Sequence, residues 1–233
     1  MLKSIDLSVR EGEFVSLIGP SGCGKTTILR IVGGLIAPTS GSVRLKGERV
    51  MSPRRDVGFV FQSPVLLPWR TIAQNIMLPI EVYGLDRQKY LERGMELLEL
   101  VGLREWAARY PSELSGGMQQ RVAIVRALMP SPSLLLMDEP FGALDAMTRE
   151  TMNVETLRIW SEERNTVIFV THSIPEAVFL SDRIVVLRAN PGEVIEVVDV
   201  ELPRPRDLAM LSEPEFGARV AAVRQVFQGQ GKP

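Results

Sequence analysis

Short, almost uninterrupted apolar runs recur along the chain and predict buried β-strands. They are FVSLI (14–18), LLLM (134–137), TVIFVT (166–171) and RIVVL (183–187). Strands that are apolar on both faces are typical of a parallel sheet with helices on either side. VGFVFQ (57–62) predicts another strand, and GSVRLKG (41–47), which alternates between two glycines, predicts an exposed strand.

Helical patterns follow several of these runs. TTILRIVGGL (26–35) comes soon after the first run, and a polar turn with a helical pattern follows both LLLM and TVIFVT. This alternation of strand and helix predicts βαβ units. The expected fold class is therefore α/β, with a mainly parallel sheet flanked by helices.

The segment 72–114 has a different pattern and predicts a helical lobe inserted into the α/β chain. Within DRQKYLERGMELLELVGL (86–103), apolar residues recur at helical spacing, namely Leu91, Met95, Leu98 and Val101. Asp86 is a candidate N-cap of this helix, and Gly102 is a candidate C′ residue.

The C-terminal part begins with LPRPRD (202–207), which predicts a proline-broken linker. An apolar stripe follows it, formed by Phe216, Val220, Val223 and Phe227. A stripe at this spacing predicts a short amphipathic helix that docks on the body of the protein.

Composition narrows the class of protein. The 233 residues carry a formal net charge of −1, 45% of them are hydrophobic, and one is cysteine. A near-neutral balance argues against a nucleic-acid partner, and a single cysteine cannot form an internal disulfide. No apolar run approaches the roughly 20 residues that cross a bilayer, and the N-terminus does not resemble a signal peptide. We expect a soluble, cytosolic protein.

Residues 19–27 read GPSGCGKTT and fit the phosphate-loop pattern G-x-x-x-x-G-K-[ST] between a predicted strand and a predicted helix. Glycines let backbone N–H groups turn towards a phosphate, and the N-terminus of the following helix adds positive potential. Lys25 is expected to bridge the β- and γ-phosphates, and the Thr26 hydroxyl to bind Mg²⁺. The alternative is a glycine-rich turn with a surface lysine.

The candidate ATP-binding residues are Gly19, Pro20, Ser21, Gly22, Cys23, Gly24, Lys25, Thr26 and Thr27. Among them, the Cys23 side chain is expected to be a small filler.

Two carboxylates follow the predicted strand LLLM, in LLLMDEP (134–140). Ligands bind at the carboxyl ends of strands in open α/β sheets. Asp138 is therefore a candidate for holding Mg²⁺, mostly through water, and Glu139 a candidate general base for the attacking water. The alternative is an acidic pair that caps the next helix.

A second hydroxyl and glycine cluster opens another predicted helix, in LSGGMQQR (114–121). Such a helix N-terminus is a further anion site by the same physical argument. Since one nucleotide has one γ-phosphate, we expect this second site to serve a nucleotide bound by another copy of the chain.

Together and in this order, GPSGCGKTT, LSGGMQQR and LLLMDEPFGALD resemble the nucleotide-binding subunits of ABC transporters, over essentially the whole chain. The resemblance implies a P-loop NTPase core with an N-terminal antiparallel β portion and an inserted helical lobe. It implies a single ABC ATPase domain over 1–233. Within it, residues 1–71 and 115–200 form the core, 72–114 the lobe, and 201–233 the C-terminal linker and helix. Because few residues precede Gly19, the family's opening strand and its adenine-stacking aromatic residue are expected to be missing, and Phe14 is expected to be core.

The resemblance also implies site residues beyond the phosphate loop. Gln62 matches the Q-loop glutamine, which contacts Mg²⁺ and the attacking water. His172, the one histidine of the chain, matches the switch histidine that touches the γ-phosphate. The signature residues that reach the partner's ATP correspond to Ser115, Gly116, Gly117 and Gln119, and the D-loop at the dimer interface corresponds to Ala143, Leu144 and Asp145.

Three further segments are similar to the ATP subunits of nitrate/sulfonate/taurine-type importers, namely FVFQSPVLLPWRT (59–71), LRIWSEERNTVIFVTHSIPEAVFLSDRIVVL (157–187) and VELPRPRD (200–207). Related importers of thiamine-precursor pyrimidines share much of this sequence. The implied cofactors are ATP and Mg²⁺. The implied partners are a second copy of the chain, an integral-membrane permease at the cytoplasmic face of the inner membrane and, indirectly, a solute-binding protein. LLPWRTIAQNI (66–76) is where such a permease would dock, through Leu66, Leu67, Pro68 and Trp69, unless these residues simply pack on their own lobe.

Three other classes of protein are alternatives to this interpretation. The first alternative is a soluble ABC ATPase of cofactor assembly, translation or DNA repair, without a permease. DNA-repair members carry a long coiled-coil insertion and translation members usually carry two ATPase units, and neither feature is visible here. A P-loop kinase or GTPase has no use for LSGGMQQR, and no guanine-reading N-K-x-D is present. A pure binding module would not depend on Glu139.

Overall fold

A six-stranded sheet forms the centre of the fold in the computed structural model, which describes residues 2–228. The order across the sheet is β4-β5-β6-β1-β7-β8, in which β8 is antiparallel to β7 and the other neighbours are parallel. The strands of this sheet are β1 (Phe14–Ile18), β4 (Val57–Val60), β5 (Leu134–Asp138), β6 (Thr166–Val170), β7 (Arg183–Arg188) and β8 (Glu193–Asp199). The predicted mainly parallel α/β sheet is confirmed.

Helices cover both faces of this sheet. They are α1 (Lys25–Val32), α5 (Gly116–Leu128), α6 (Ala146–Glu163) and α7 (Ile174–Leu180). Successive residues of a strand point to opposite faces, so Val15 and Leu17 of β1 pack in a cluster with Leu29 of α1. Phe14 and Ile18 pack in a second cluster on the other face, and Phe14 is fully buried core, as expected.

The edge strand β8 was missing from the sequence-based prediction. Its sequence EVIEVVD is mostly half-buried or exposed, whereas β1 is buried at every position. A solvated edge strand with interspersed acidic residues does not produce the continuous apolar run by which the other strands were found.

Two predicted boundaries were wrong. Within the predicted strand 41–47 only β2 (Arg44–Leu45) is a strand, and it pairs with β3 (Glu48–Arg49), which follows Gly47, as a short antiparallel pair. The helix after the phosphate loop ends before the predicted residue 35, because Gly33 caps it and Gly34 adopts a φ of +71°. Ahead of β1 the structure shows a single bridge, between Leu2 and Gly192.

The segment between β4 and α5 is helical. Its helices are α2 (Ile72–Ile76), α3 (Leu78–Val82) and α4 (Arg87–Leu100). Asp86 caps α4 by accepting a hydrogen bond from the Gln88 N–H at 3.0 Å, and Gly102 has the left-handed φ of +68° expected at a C′ position. Leu98 and Val101 of the predicted stripe are buried, but the prediction for Leu91 was wrong, because its side chain is 39% exposed. Gly94 and Leu97 lie inward together with Leu98.

The C-terminal segment forms a helix that docks on the body of the protein, as predicted, and the structure shows that it packs on α7. In α8 (Pro214–Gln228), Phe216 and Val223 are buried. The segment before it is anchored by Arg206, whose guanidinium donates to the backbone oxygens of Val178, Phe179 and Ser181. Burial lowers the pKa of Arg206 to about 10. Within residues 2–228, no helix combines the length and apolarity needed to cross a membrane.

Candidate functional site

The phosphate loop connects the carboxyl end of β1 to α1, and its glycines are required by its geometry. Gly24 has a φ of +103°, which an L side chain rarely adopts. A Cβ atom on Gly19 would lie 2.8 Å from the Leu187 carbonyl oxygen. Cys23 is 2% exposed, which agrees with its interpretation as a filler. Pro20, Ser21, Gly22 and Thr27 lie exposed along the loop.

Lys25 directs its charge into the phosphate loop. The residue is 7% exposed, and its Nζ donates to the carbonyl oxygens of Gly19 at 2.8 Å and Pro20 at 3.2 Å. A triphosphate bound in the loop would replace these carbonyl oxygens as the acceptor of the Lys25 hydrogen bonds, with the ammonium group already directed into the loop. The first turn of α1 carries no acidic residue of its own, and the carboxylate nearest its positive end is contributed by β5, as Asp138.

Thr26, in the first turn of α1, contacts Asp138, at the end of β5. The Thr26 hydroxyl donates to Asp138 Oδ1 at 2.9 Å. Burial raises the pKa of Asp138 above its ordinary value, the hydrogen bond from Thr26 opposes this shift, and the charge of Glu139 adds to it. Hard oxygen ligands of this kind suit Mg²⁺, which keeps several waters and binds through few protein groups. Residues 2–228 contain no cluster of three or more His, Cys, Asp or Glu side chains placed to hold a metal ion.

Replacing Asp138 by asparagine is expected to raise the melting temperature of the nucleotide-free chain by roughly 2–4 °C. Asparagine removes a charge that burial and Glu139 disfavour, while its oxygen still accepts from the Thr26 hydroxyl. Calorimetry without nucleotide measures the effect. The matched control is Asp182→Asn, which is expected to destabilise, because Asp182 binds the Arg204 guanidinium and the Phe14 N–H. A lower melting temperature for Asp138→Asn would contradict the argument.

Glu139 and His172 form a second pair at the same edge of the sheet. His172 Nδ1 lies 3.2 Å from Glu139 Oε2. The Glu139 backbone has a left-handed φ of +44°, and its N–H donates to the Val170 carbonyl oxygen at 2.9 Å. A non-glycine residue in this conformation is frequently found at functional sites. Gln62 reaches the same place, because a Cβ on Gly142 would lie within 4 Å of both Gln62 Nε2 and Glu139 Oε2.

The signature segment has different neighbours from the phosphate loop. Ser115 caps α5 by accepting from the Met118 N–H at 3.4 Å. A Cβ on Gly117 would lie 2.8 Å from Thr148 Cγ2, and one on Gly116 would lie 3.8 Å from Leu144 Cδ2. Gln119 turns back to its own segment, since its amide donates to the carbonyl oxygens of Pro111 and Leu114.

The D-loop residues lie between the signature segment and α6. Asp145 caps α6 by accepting from the Thr148 N–H at 3.0 Å and the Thr148 hydroxyl at 2.6 Å. These hydrogen bonds lower the pKa of Asp145. Ala143 and Asp145 are exposed, and Met147 beside them is 81% exposed. The fold therefore places signature and D-loop side by side on an accessible surface.

Sequence reasoning missed several residues that hold the site. The Gln120 amide donates to the Phe61 carbonyl oxygen at 3.2 Å, and the Arg126 guanidinium donates to those of Pro64 and Val65 at 2.7 and 2.8 Å. Both side chains are on α5, so the helix that begins at the signature segment also fixes the backbone on both sides of Gln62. The sequence signal that could have identified Gln120 and Arg126 is that they are polar residues in an otherwise largely apolar helix.

Comparison with known proteins shows the family and the fold of the chain. Residues 2–142 match the ABC transporter family. A bacterial ABC transporter cassette solved as a dimer superposes with a TM-score of 0.74 at 38% identity, over 87% of this chain and 91% of that one. The same cassette in a post-hydrolysis state bound to ADP and phosphate gives a TM-score of 0.72 at 36% identity, with the same shares covered.

Curated relatives are more similar in sequence. An uncharacterized ABC transporter ATP-binding protein of Methanocaldococcus jannaschii is 49% identical over 94% of this chain and 82% of its own length. An aliphatic sulfonates import ATP-binding protein of Bacillus cereus is 43% identical over 94% and 86%. A nitrate import ATP-binding protein of Synechococcus elongatus is 48% identical over 92% of this chain and 33% of its own length.

The chain belongs to the ABC transporter family. Within that family it is an ATP-binding subunit and an ATPase.

Proposed function

We propose that the chain energises uptake of a small solute by hydrolysing ATP at an interface between two of its copies, beneath a separate permease. One observation supports this most strongly. The phosphate loop, Asp138, Glu139 and His172 converge at one edge of the sheet, whereas the signature segment starting at Ser115 contacts a different part of the same chain.

Each residue at the sheet edge has a proposed role. Lys25 and the loop N–H groups bind the β- and γ-phosphates. Thr26, Asp138 and Gln62 would hold Mg²⁺, which when bound neutralises charge on the phosphates. Glu139 accepts a proton from the attacking water, and His172 orients the γ-phosphate beside it.

The second half of each site would come from the partner copy. Ser115 and Gly116 are exposed at the N-terminus of α5, a helix of 13 residues whose first turn has no acidic side chain. Such a helix end attracts an anion. We propose that it binds the γ-phosphate held by Lys25 of the other copy, with Ala143, Leu144, Asp145 and Gln119 ordering the interface. Two ATP molecules would then lie between the two chains.

Of the residues predicted to dock a permease, Pro68 and Trp69 are exposed, whereas Leu66 and Leu67 are half-buried and Leu66 packs against the core. The proposed permease surface therefore consists of Trp69 together with other exposed apolar residues, namely Phe61, Val65, Val82 and Tyr83, with exposures of 40–70%. The Arg70–Glu81 ion pair, at 2.6 Å, joins the two segments that carry them. The buried Asn75 side chain binds the backbone of Leu67 and Arg70, so the loop is firmly held although it is exposed. Exposed apolar area of this kind is typical of a partner site.

Replacing Trp69 by alanine is expected to reduce copurification with the permease by about tenfold or more, because large aromatic side chains dominate such interfaces. Trp69 is 70% exposed, so the isolated chain should keep its fold and its own ATP hydrolysis. The matched control is Met51→Ala, which removes an apolar side chain that is 75% exposed outside this surface. Equal permease recovery for both variants would count against the proposed surface.

The solute class is proposed from the relatives. We propose nitrate, an aliphatic sulfonate or a taurine-like solute, with a thiamine-precursor pyrimidine as the alternative within the same importers. A solute-binding protein would deliver it outside the membrane, and the chain would act peripherally on the cytoplasmic face. Uptake of labelled nitrate, taurine and pyrimidine by cells carrying or lacking the gene separates these solutes. Unchanged uptake of all of them would reject the class.

The proposed organisation is one ABC ATPase domain. Residues 1–71 and 115–200 form its core, 72–114 its helical lobe, and 201–233 its C-terminal linker and helix. Residue 1 and residues 229–233 lie outside the described part of the chain.

A further inference from the structure

A chain of hydrogen bonds that ends at the buried Glu176 carboxyl, which accepts from the Thr171 hydroxyl, connects the residues on both sides of His172. The Thr171 hydroxyl oxygen accepts from the Ser173 N–H at 3.0 Å and is also hydrogen-bonded to Glu176 Oε2. Ser173 Oγ accepts in turn from the Glu176 N–H at 3.4 Å. His172 lies between the two residues that these bonds connect.

This arrangement differs from an ordinary helix cap. The sequence SIPE (173–176) fits the capping-box pattern, in which the glutamate side chain accepts directly from the N-cap N–H. In this structure the Thr171 hydroxyl takes that N–H, and Glu176 binds the hydroxyl instead. The carboxyl therefore reaches past the helix start to the residue that precedes His172.

Glu176 occupies this position at an energetic cost. The residue is 6% exposed, and its Oε1 has no hydrogen-bond partner in the described part of the chain. Burial raises the pKa of Glu176, while the hydrogen bond with Thr171 and the positive charge of Arg149 oppose the rise. A solvent-exposed glutamate would cap a helix without this cost. Glu176 instead lines the same depression as Glu139, Arg149 and His172.

The His172 ring needs such support. Its side chain is 59% exposed, and Glu139 Oε2 is the hydrogen-bond partner that the structure gives it within residues 2–228. An exposed ring with one contact keeps its direction only if the backbone beneath it is fixed. Thr171 supplies one fixed point, because its N–H donates to the Leu17 carbonyl oxygen at 3.3 Å, at the end of β1.

We propose that Glu176 is a positioning residue for ATP hydrolysis, which acts through the Thr171 hydroxyl to hold the His172 ring at Glu139. The inference rests on the roles proposed above for His172 and Glu139. In this proposal Glu176 and Thr171 support hydrolysis indirectly, by positioning His172, and do not contact ATP themselves.

The experiment uses the full chain and exploits its single histidine. In histidine-labelled protein, the ring resonances report His172 alone. The disrupting variants are Glu176→Ala and Thr171→Val, and the conservative variants are Glu176→Gln and Thr171→Ser. The matched control is Thr156→Val, which removes another buried hydroxyl whose hydrogen bond, to the Met152 carbonyl oxygen at 2.7 Å, lies outside the site.

The disrupting variants are expected to lower kcat by about tenfold or more and to shift the His172 resonances towards those of a free histidine, because small misplacements of a positioned group have large effects on rate. KM for Mg·ATP should stay within about twofold. The conservative variants keep one hydrogen bond and should retain most of the activity and the native resonances. Thr156→Val should leave both readouts at their wild-type values.

His172→Ala separates failure of this inference from failure of the proposed function. If His172→Ala keeps full hydrolysis, the proposed role of His172 is wrong. If it loses hydrolysis, adding Glu176→Ala in that background should cause no further loss of kcat. An unchanged His172 resonance in Thr171→Val and Glu176→Ala, or an additive loss in the double variant, overturns the positioning role alone.

Discussion

Replacing Glu139 by glutamine is expected to lower ATP hydrolysis by at least about a hundredfold, because loss of a general base removes roughly 10²–10⁴ in rate. Glutamine has nearly the same shape and can still contact His172, which lies 3.2 Å away, but it cannot accept the proton of the attacking water. ATP binding should persist, since Lys25 and Thr26 are unchanged. We therefore expect the variant to accumulate as a dimer with Mg·ATP, measured by light scattering together with phosphate release.

The control for this charge change is Glu96→Gln, at an exposed position of α4. It alters the net charge equally and should hydrolyse ATP at the wild-type rate. Wild-type turnover by Glu139→Gln would show that Glu139 is not the base. Loss of hydrolysis without a dimer would retain the base and reject the proposed two-chain site.

The buried part of the fold was predictable because its physical signal is local. Every residue of β1 and nearly every residue of β5, β6 and β7 is buried, so the apolar runs identify these strands directly. Strand β8 pairs with β7 along its whole length yet lies half in solvent, and its acidic residues conceal it. Leu91 was misplaced for a related reason, since helical spacing alone does not show which of two adjoining stripes faces inward.

The candidate site was predictable where backbone geometry requires particular residues. The left-handed Gly24 and the close approach of Gly19 to Leu187 explain why the phosphate loop has a recognisable sequence. The connections behind the site have no such local signature. The Gln120 contact to Phe61 and the Arg126 contacts to Pro64 and Val65 join residues that are distant in sequence, and only the fold brings them together.

These connections also give a physical route between the two proposed interfaces. Helix α5 begins at the signature segment, and its Gln120 and Arg126 hold the backbone beneath the exposed apolar surface that includes Val65. Burial lowers the pKa of the half-buried Arg126 guanidinium. If α5 changes position when two copies close around ATP, as proposed, the proposed permease surface is expected to move with it.

Mixing two inactive variants is expected to restore hydrolysis. Lys25→Ala removes the phosphate-binding cation of its own loop, whereas Gly116→Glu places a negative charge where the partner's γ-phosphate is proposed to lie. Gly116 tolerates a side chain within its own chain, because the nearest atom to an added Cβ, Leu144 Cδ2, is 3.8 Å away. In a mixed dimer, one site keeps both an intact Lys25 and an intact signature segment. Random pairing of equal amounts should give about a quarter of the wild-type rate.

Two further proteins make this test decisive. Gly217→Glu adds the same charge where a Cβ meets nothing within 4 Å, and it should remain fully active. A chain carrying both Lys25→Ala and Gly116→Glu should restore nothing when mixed with either single variant, because every site it enters has lost one of the two groups. If Lys25 and Gly116 instead served one nucleotide within a single chain, the two single variants would stay inactive in every mixture, and hydrolysis would not depend on pairing.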